Sequence, residues 1–112
     1  MKFDYKIQFN SKNQLKHLLN VELLNLEHIK EIISLADYYD NEKIKKFNDL
    51  NGKTIANLFF EPSTRTKTTF ELASKKLSAD FINIDVANSS ANKGESVLDM
   101  IKTLEAMNCD MF

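Results

Sequence analysis

Apolar residues recur at helical spacing between about Leu26 and Tyr39. Leu26, Ile29, Ile33 and Ala36 return at steps of three and four, and Ile32 widens the stripe. That pattern predicts an amphipathic helix. Upstream, residues 1–20 are mixed and polar, with room for a short helix near Asn13 to Leu19. The charged stretch from Asn41 ends at Asn51-Gly52, a turn signal. The next segment, Thr54 to Phe60, is short and rich in β-branched and aromatic residues, and it predicts a buried strand. Phe70, Ala73 and Leu77 then mark the core face of a helix ending near Ser78. Its start is open: Pro62, Ser63 and Thr64 suit a helix opening, while Thr68 and Glu71 offer a capping box one turn later. Ile82, Ile84 and Val86, at period two, predict a second strand over Asp80 to Val86. Ala87 to Lys93 is a polar loop. Val97, Ile101, Leu104 and Met107, with Leu98 beside them, predict a helix over Glu95 to Met107, and Cys109 to Phe112 opens a third strand.

Strand, helix, strand, helix, incipient strand is the order of an α/β fold: a parallel sheet flanked by helices and joined by right-handed crossovers. Ligands of open parallel sheets sit outside the carboxyl ends of the strands. Two loops qualify, Glu61 to Thr66 and Ala87 to Gly94.

Composition narrows the chemistry. The chain has 112 residues, enough for one domain with a modest core, and 43% apolar with 28% charged residues exclude a disordered class. A net charge of −1 argues against general nucleic-acid binding, so any anion must be held by a local site. Cys109 is the one cysteine, which rules out an intrachain disulfide and reads as a small buried apolar residue. The first ten residues lack the apolar core of a secretory signal, and no apolar run reaches the length of a membrane span. A cytoplasmic location is expected.

Ser63-Thr64-Arg65-Thr66 falls where a strand ends and a helix begins. Unpaired amides and the positive end of the helix dipole favour a phosphate there, and Arg65 adds a planar fork for two of its oxygens. The competing reading is ordinary helix capping. A nucleotide-loop reading of Gly52-Lys53-Thr54 fails, because Phe47 stands where that motif needs its first Gly and a strand follows where it needs a helix.

The run from Phe59 to Ala73, with Glu61-Pro62-Ser63-Thr64-Arg65-Thr66 at its centre, resembles the carbamoyl-phosphate motif of the aspartate and ornithine carbamoyltransferases. The resemblance implies the fold as well, an incomplete half of the carbamoyltransferase N-terminal domain. It implies that backbone amides near Ser63 to Thr66 and the side chains of Ser63, Thr64 and Arg65 hold the phosphate, with Thr66 reaching the carbonyl oxygen. Arg65, Thr66 and Lys93 would be the catalytic groups. Lys67 stands where the family often has Arg; it keeps the charge but loses the fork, and is not assigned to the ligand.

Asn88 to Ser96 reads by itself as a solvated loop running into a helix. Beside the first motif it resembles the aspartate branch's Ser-x-x-x-Lys-Gly-Glu loop, with Ser89 and Lys93 in the matching positions and Ala91 where a Gly is common. The resemblance implies a homotrimer in which this loop enters the neighbouring subunit's active site. It further implies that Glu61 pairs with arginines of a second domain on domain closure. The ornithine branch usually lacks a Lys matching Lys93. The substrates implied are carbamoyl phosphate and L-aspartate, with no metal or cofactor. Regulatory chains are left open, and neither nucleic acid nor membrane is an expected partner. His17 and His28 match no catalytic position and read as surface or helix residues.

Residues 1–112 would be a truncated carbamoyl-phosphate-binding domain. The aspartate-binding domain and the later Arg, His and Gln that the family uses would lie beyond Phe112, so the chain by itself is expected to be inactive. The alternatives are an ornithine carbamoyltransferase-like enzyme, a non-catalytic phosphate-binding fragment, and a structural domain with no ligand.

Overall fold

A computed structural model describes residues 3–41, 43–86 and 96–112, and the chain divides into two units, residues 1–43 and 44–112. The first unit is organised around Gln8, a polar residue with no exposed surface. A 3-10 turn, Tyr5–Gln8, opens on Asp4, whose carboxylate accepts from the Lys6 amide at 3.0 Å. The Gln8 Oε1 accepts from the Leu19 and Asn20 amides at 3.1 and 3.4 Å. The Gln8 carbonyl accepts from the Lys16 and His17 amides at 2.8 and 3.1 Å. These bonds hold residues 16–20 against the turn, in place of the short helix expected near Asn13 to Leu19. Asn13 also has φ 59°, a left-handed conformation that a helix interior excludes.

Helix α1, Leu26–Tyr39, forms where the apolar spacing predicts. Its first turn is closed reciprocally. The Asn25 Oδ1 accepts from the His28 amide at 2.9 Å, and the His28 Nδ1 accepts from the Asn25 amide at 3.1 Å. The other ring nitrogen, Nε2, lies 2.7 Å from the Asn13 carbonyl oxygen. A carbonyl only accepts and an amide N–H only donates, so the ring is the neutral tautomer with its proton on Nε2. His28 is thus a buried cap, stacked on Phe9 with ring centroids 4.9 Å apart. The α1 stripe of Leu26, Ile29, Ile32 and Ile33 is exposed.

The second unit holds the sheet. Strands β1, Thr54–Phe59, and β2, Asp80–Asp85, pair in parallel, with Thr54 opposite Asp80 and Phe59 opposite Asp85. Helix α2, Thr64–Lys76, makes the crossover and packs on both strands. Gly52, at φ 82°, turns the chain into β1. Ile55, Ala56 and Asn57 are buried in succession, the pattern of a strand covered on both faces. Met111 bridges Ile55 in parallel. The Asp110 amide donates to the Thr54 carbonyl and the Ala56 amide to the Met111 carbonyl, both at 2.8 Å. The incipient third strand therefore runs beside β1, opposite β2, and β1 is interior. Cys109 is buried just before it.

Helix α3, Val97–Ala106, is capped by Ser96, whose Oγ accepts from the Asp99 amide at 3.0 Å. Both α2 and α3 end in a left-handed residue, Ser78 at φ 65° and Asn108 at φ 70°. Each end is closed by the same bond across the final turn: the Ala79 amide donates to the Ser74 carbonyl, and the Cys109 amide to the Leu104 carbonyl, both at 3.0 Å.

Two expected helix faces are corrected. Phe70 and Ala73 of α2 are exposed, whereas Ser74 is buried and donates through its Oγ to the Phe70 carbonyl at 2.8 Å. The helix meets the sheet along Lys67, Glu71 and Ser74, above the polar Asn57 and Asn83, so its large apolar residues fall on other faces. In α3 the buried residue is Met100, flanked by half-buried Val97, Ile101 and Leu104. Leu98 lies off that stripe, and Met107 is past the last helical residue, so both are exposed. Among the described residues, no helix is long and apolar enough to cross a membrane.

Ser63 is the N-cap of α2, yet its side chain makes no capping hydrogen bond. Ser96→Ala should therefore lower stability by about 1 kcal/mol, while Ser63→Ala changes it by only a few tenths. Urea unfolding midpoints of the two variants check this contrast. Gly52→Ala should cost about 1 kcal/mol through backbone strain alone. A Cβ there meets no atom within 4 Å, so an unchanged midpoint would refute the strained turn.

Candidate functional site

The first four amides of any helix lack an intrahelical acceptor and need another partner. At α1 the Asn25 carboxamide supplies one, with acidic Glu27 in the first turn. At α3 Ser96 does so, with acidic Asp99 in the first turn. At α2 neither device is present: there is no side-chain cap and no acid in the first turn. Two cations, Arg65 and Lys67, stand there instead, at the positive end of the dipole. That placement is unfavourable for the helix by tenths of a kcal/mol to about 1 kcal/mol. An anion at the N-terminus would satisfy the amides and both cations together.

The strand order delivers this helix start to the carboxyl end of β1. Beside it lies a cleft of about 400 Å³ whose wall includes Phe59, Glu61, Ser63, Thr64, Lys67, Glu71 and Asp85. Glu61, Ser63 and Thr64 of the expected site residues line it. Arg65 and Thr66 lie on the next positions of the same turn, exposed to solvent and outside the cleft wall. Among the described residues the one ion pair joins Lys75 Nζ to Glu71 Oε1 at 3.6 Å, so the Arg65 guanidinium has no carboxylate partner. Thr69, one turn on, donates its hydroxyl to the Arg65 carbonyl at 2.8 Å and is thereby occupied. Ser89 and Lys93 lie outside the described residues.

A larger hollow, about 630 Å³, lies at the opposite ends of the strands among Lys46, Asn51, Lys75, Ser78 and Asp80. There α2 ends, and its carbonyls carry the negative end of the dipole, which Lys75 and Lys76 offset. The dipole favours an anion at the smaller cleft, although the carboxylates of Glu61, Glu71 and Asp85 share its wall with Lys67.

Lys67 was not among the residues expected at the ligand, yet it is half-buried and on the cleft wall. It lies four positions after Ser63, hence on the same helix face, a relation the spacing already carries once α2 is known to start at Thr64. Two further polar residues, Asn57 and Asn83, lie under this face and were read only as strand positions. The Asn57 Nδ2 donates to the Asn83 Oδ1 at 3.2 Å, and the Asn83 Nδ2 donates to the Glu71 Oε2 at 3.1 Å.

Residues 16–112 match the model of the aspartate/ornithine carbamoyltransferase carbamoyl-phosphate-binding domain. Among solved structures, the catalytic subunit of M. jannaschii aspartate transcarbamoylase superposes with a TM-score of 0.76 at 34% identity, over 87% of this chain and 33% of that one. Aspartate transcarbamoylase from Trypanosoma cruzi, solved with aspartate and phosphate, gives 0.75 at 33% identity, over 86% of this chain and 33% of that one. The same enzyme with N-(phosphonacetyl)-L-aspartic acid gives 0.74 at 31% identity, over 92% and 33%. The chain spans about a third of the length of these structures. A domain match over most of its length, with solved structures about a third identical over the same fold, shows that this chain belongs to the aspartate/ornithine carbamoyltransferase family.

Proposed function

We propose that the chain is the carbamoyl-phosphate-binding part of an enzyme that carbamoylates L-aspartate, giving N-carbamoyl-L-aspartate and phosphate for pyrimidine biosynthesis. The observation that carries this reading is the first turn of α2, which has no side-chain cap, no acid and two cations. The Trypanosoma cruzi relative supports the choice of substrates, having been solved with carbamoyl phosphate, aspartate and phosphate.

In the reaction the amine nitrogen of aspartate attacks the carbonyl carbon of carbamoyl phosphate. A carbon–nitrogen bond forms, the carbon–oxygen bond to phosphate breaks, and the amine loses a proton. Both substrates are anions and negative charge gathers on the carbonyl and leaving oxygens, so catalysis needs placement and fixed donors. The amides at the start of α2, with the side chains of Ser63, Thr64 and Arg65, bind the phosphate. Thr66 donates to the carbonyl oxygen. Ser89 and Lys93 reach the site from the neighbouring subunit of a homotrimer, where Lys93 neutralises phosphate charge. Glu61 holds the closed position of the second, aspartate-binding domain by pairing with its arginines. These steps call on no metal or cofactor. The location proposed is cytoplasmic.

The test is carbamoylation by the protein at its native length, with carbamoyl phosphate as donor and aspartate or ornithine as acceptor. Aspartate should be the acceptor; ornithine in its place would move the chain to the sister branch, and phosphate binding without transfer would make it a binding module. Arg65→Lys should lower kcat/KM by about 100-fold or more, since a point charge replaces a bidentate fork. The urea midpoint should stay unchanged, because Arg65 is exposed and makes no ion pair among the described residues.

A further inference from the structure

Asn57, Asn83 and Glu71 link β1, β2 and α2 in a line beneath the cleft. Asn57 and Asn83 are direct partners in the parallel register, so their side chains leave the sheet on the same face. Glu71 reaches that face from α2 and stands on the cleft wall with Ser63, Thr64 and Lys67. Asn57 is buried, and Asn83 and Glu71 are half-buried.

Chemistry fixes the direction of both bonds. A carboxylate only accepts, so Asn83 must give its amino group to Glu71 and turn its carbonyl toward Asn57, which donates to it. The bond to the charged acceptor is the stronger kind. Apolar side chains would pack a helix on a sheet at least as well without needing partners. What the amides add is direction: each bond has one geometry, whereas an apolar contact tolerates rotation and sliding. Glu71 lies seven positions beyond Thr64, about two helical turns or roughly 10 Å along the axis. A helix is stiff over that length. Fixing Glu71 therefore fixes where the first-turn amides of α2 point.

We propose that Asn83, oriented by Asn57 and bonded to Glu71, is a positioning residue for the phosphate site, setting the rotation of α2 on the sheet so that its first-turn amides converge on the ligand. This inference rests on the phosphate reading of that turn. Asn83 touches no substrate and acts through α2.

The test is binding of inorganic phosphate to the protein at its native length, with KM for carbamoyl phosphate and kcat measured on the same variants. Asn83→Asp sets a second carboxylate against Glu71. It should weaken phosphate binding and raise KM on the order of tenfold, with a smaller change in kcat at saturation. Glu71→Gln alone should weaken binding far less, because its remaining carbonyl oxygen still accepts from Asn83. Asn83→Asp combined with Glu71→Gln should recover most of the affinity, since the new carboxamide can donate to the new carboxylate while Asn57 still donates to it. A lowered urea midpoint in Asn83→Asp with unaltered phosphate affinity would overturn the proposal, leaving a purely structural bond. So would a double variant no better than Asn83→Asp. Should Asn83→Asp not fold, Asn83→Ala removes the bond without adding charge. Phosphate affinity lowered several-fold in that variant supports the proposal, and unchanged affinity overturns it. If the unmodified protein binds no phosphate, the phosphate reading itself fails, whereas binding that these substitutions leave unmoved sinks only the positioning role.

Discussion

Parallel pairing of β1 with β2 cannot be closed by a tight turn; the chain must cross from the end of one strand to the start of the next. Everything that defines the site follows from that constraint. The crossover is α2, so its N-terminus stands at the carboxyl end of β1 and its C-terminus beside the start of β2. The dipole then gives the two ends of the sheet opposite polarity. The positive end of the dipole meets the cleft near Ser63, and the negative end meets the larger hollow near Ser78.

The start of α2 violates rules that the other two α-helices obey. Asn25 and Ser96 each supply a capping oxygen, and Glu27 and Asp99 supply negative charge. Ser63 holds the N-cap position but its side chain makes no capping hydrogen bond, and Arg65 and Lys67 add positive charge where the dipole is already positive. Local choices that conflict with local stability mark functional positions. A substitution such as Arg65→Glu would suit the helix dipole better, at the expense of the phosphate site proposed there, which is the usual opposition between stability and activity.

Much of this was legible in the sequence. Helix α1 was found with its full bounds because Leu26, Ile29 and Ile33 repeat cleanly, and both strands were found because Thr54 to Phe59 and Ile82 to Ile84 have strand composition. The family was legible through an extended motif, Phe59 to Ala73, in a strand-to-helix context. The residues missed share a cause. His28 and Gln8 became buried through hydrogen bonds to backbone groups that hydropathy does not register. The sheet-facing side of α2 was assigned to Phe70 and Ala73 because apolar residues were assumed to face the sheet. The actual face, Lys67, Glu71 and Ser74, is polar because the strands beneath it present Asn57 and Asn83. Lys67 was set aside for want of a bidentate fork, although its spacing from Ser63 put it on the cleft side of the helix.

The paired asparagines also bear on how the chain finds its alignment. Thr-Ile-Ala-Asn-Leu-Phe and Asp-Phe-Ile-Asn-Ile-Asp are both six residues long, and each has Asn at its fourth position. Hydrophobicity distinguishes poorly between neighbouring alignments of two such strands, since a slip of two residues restores the inward and outward alternation. The asparagines do distinguish them. Sliding β2 by two places sets Asn57 against Phe81 and Asn83 against Phe59 in one direction, and Asn83 against Ile55 in the other, so the paired amides separate at a cost of about 1–3 kcal/mol for each buried group left without a partner. The two strands thus carry a key cut at one matching notch, in the manner of a lone buried Asn that selects one alignment of a coiled coil.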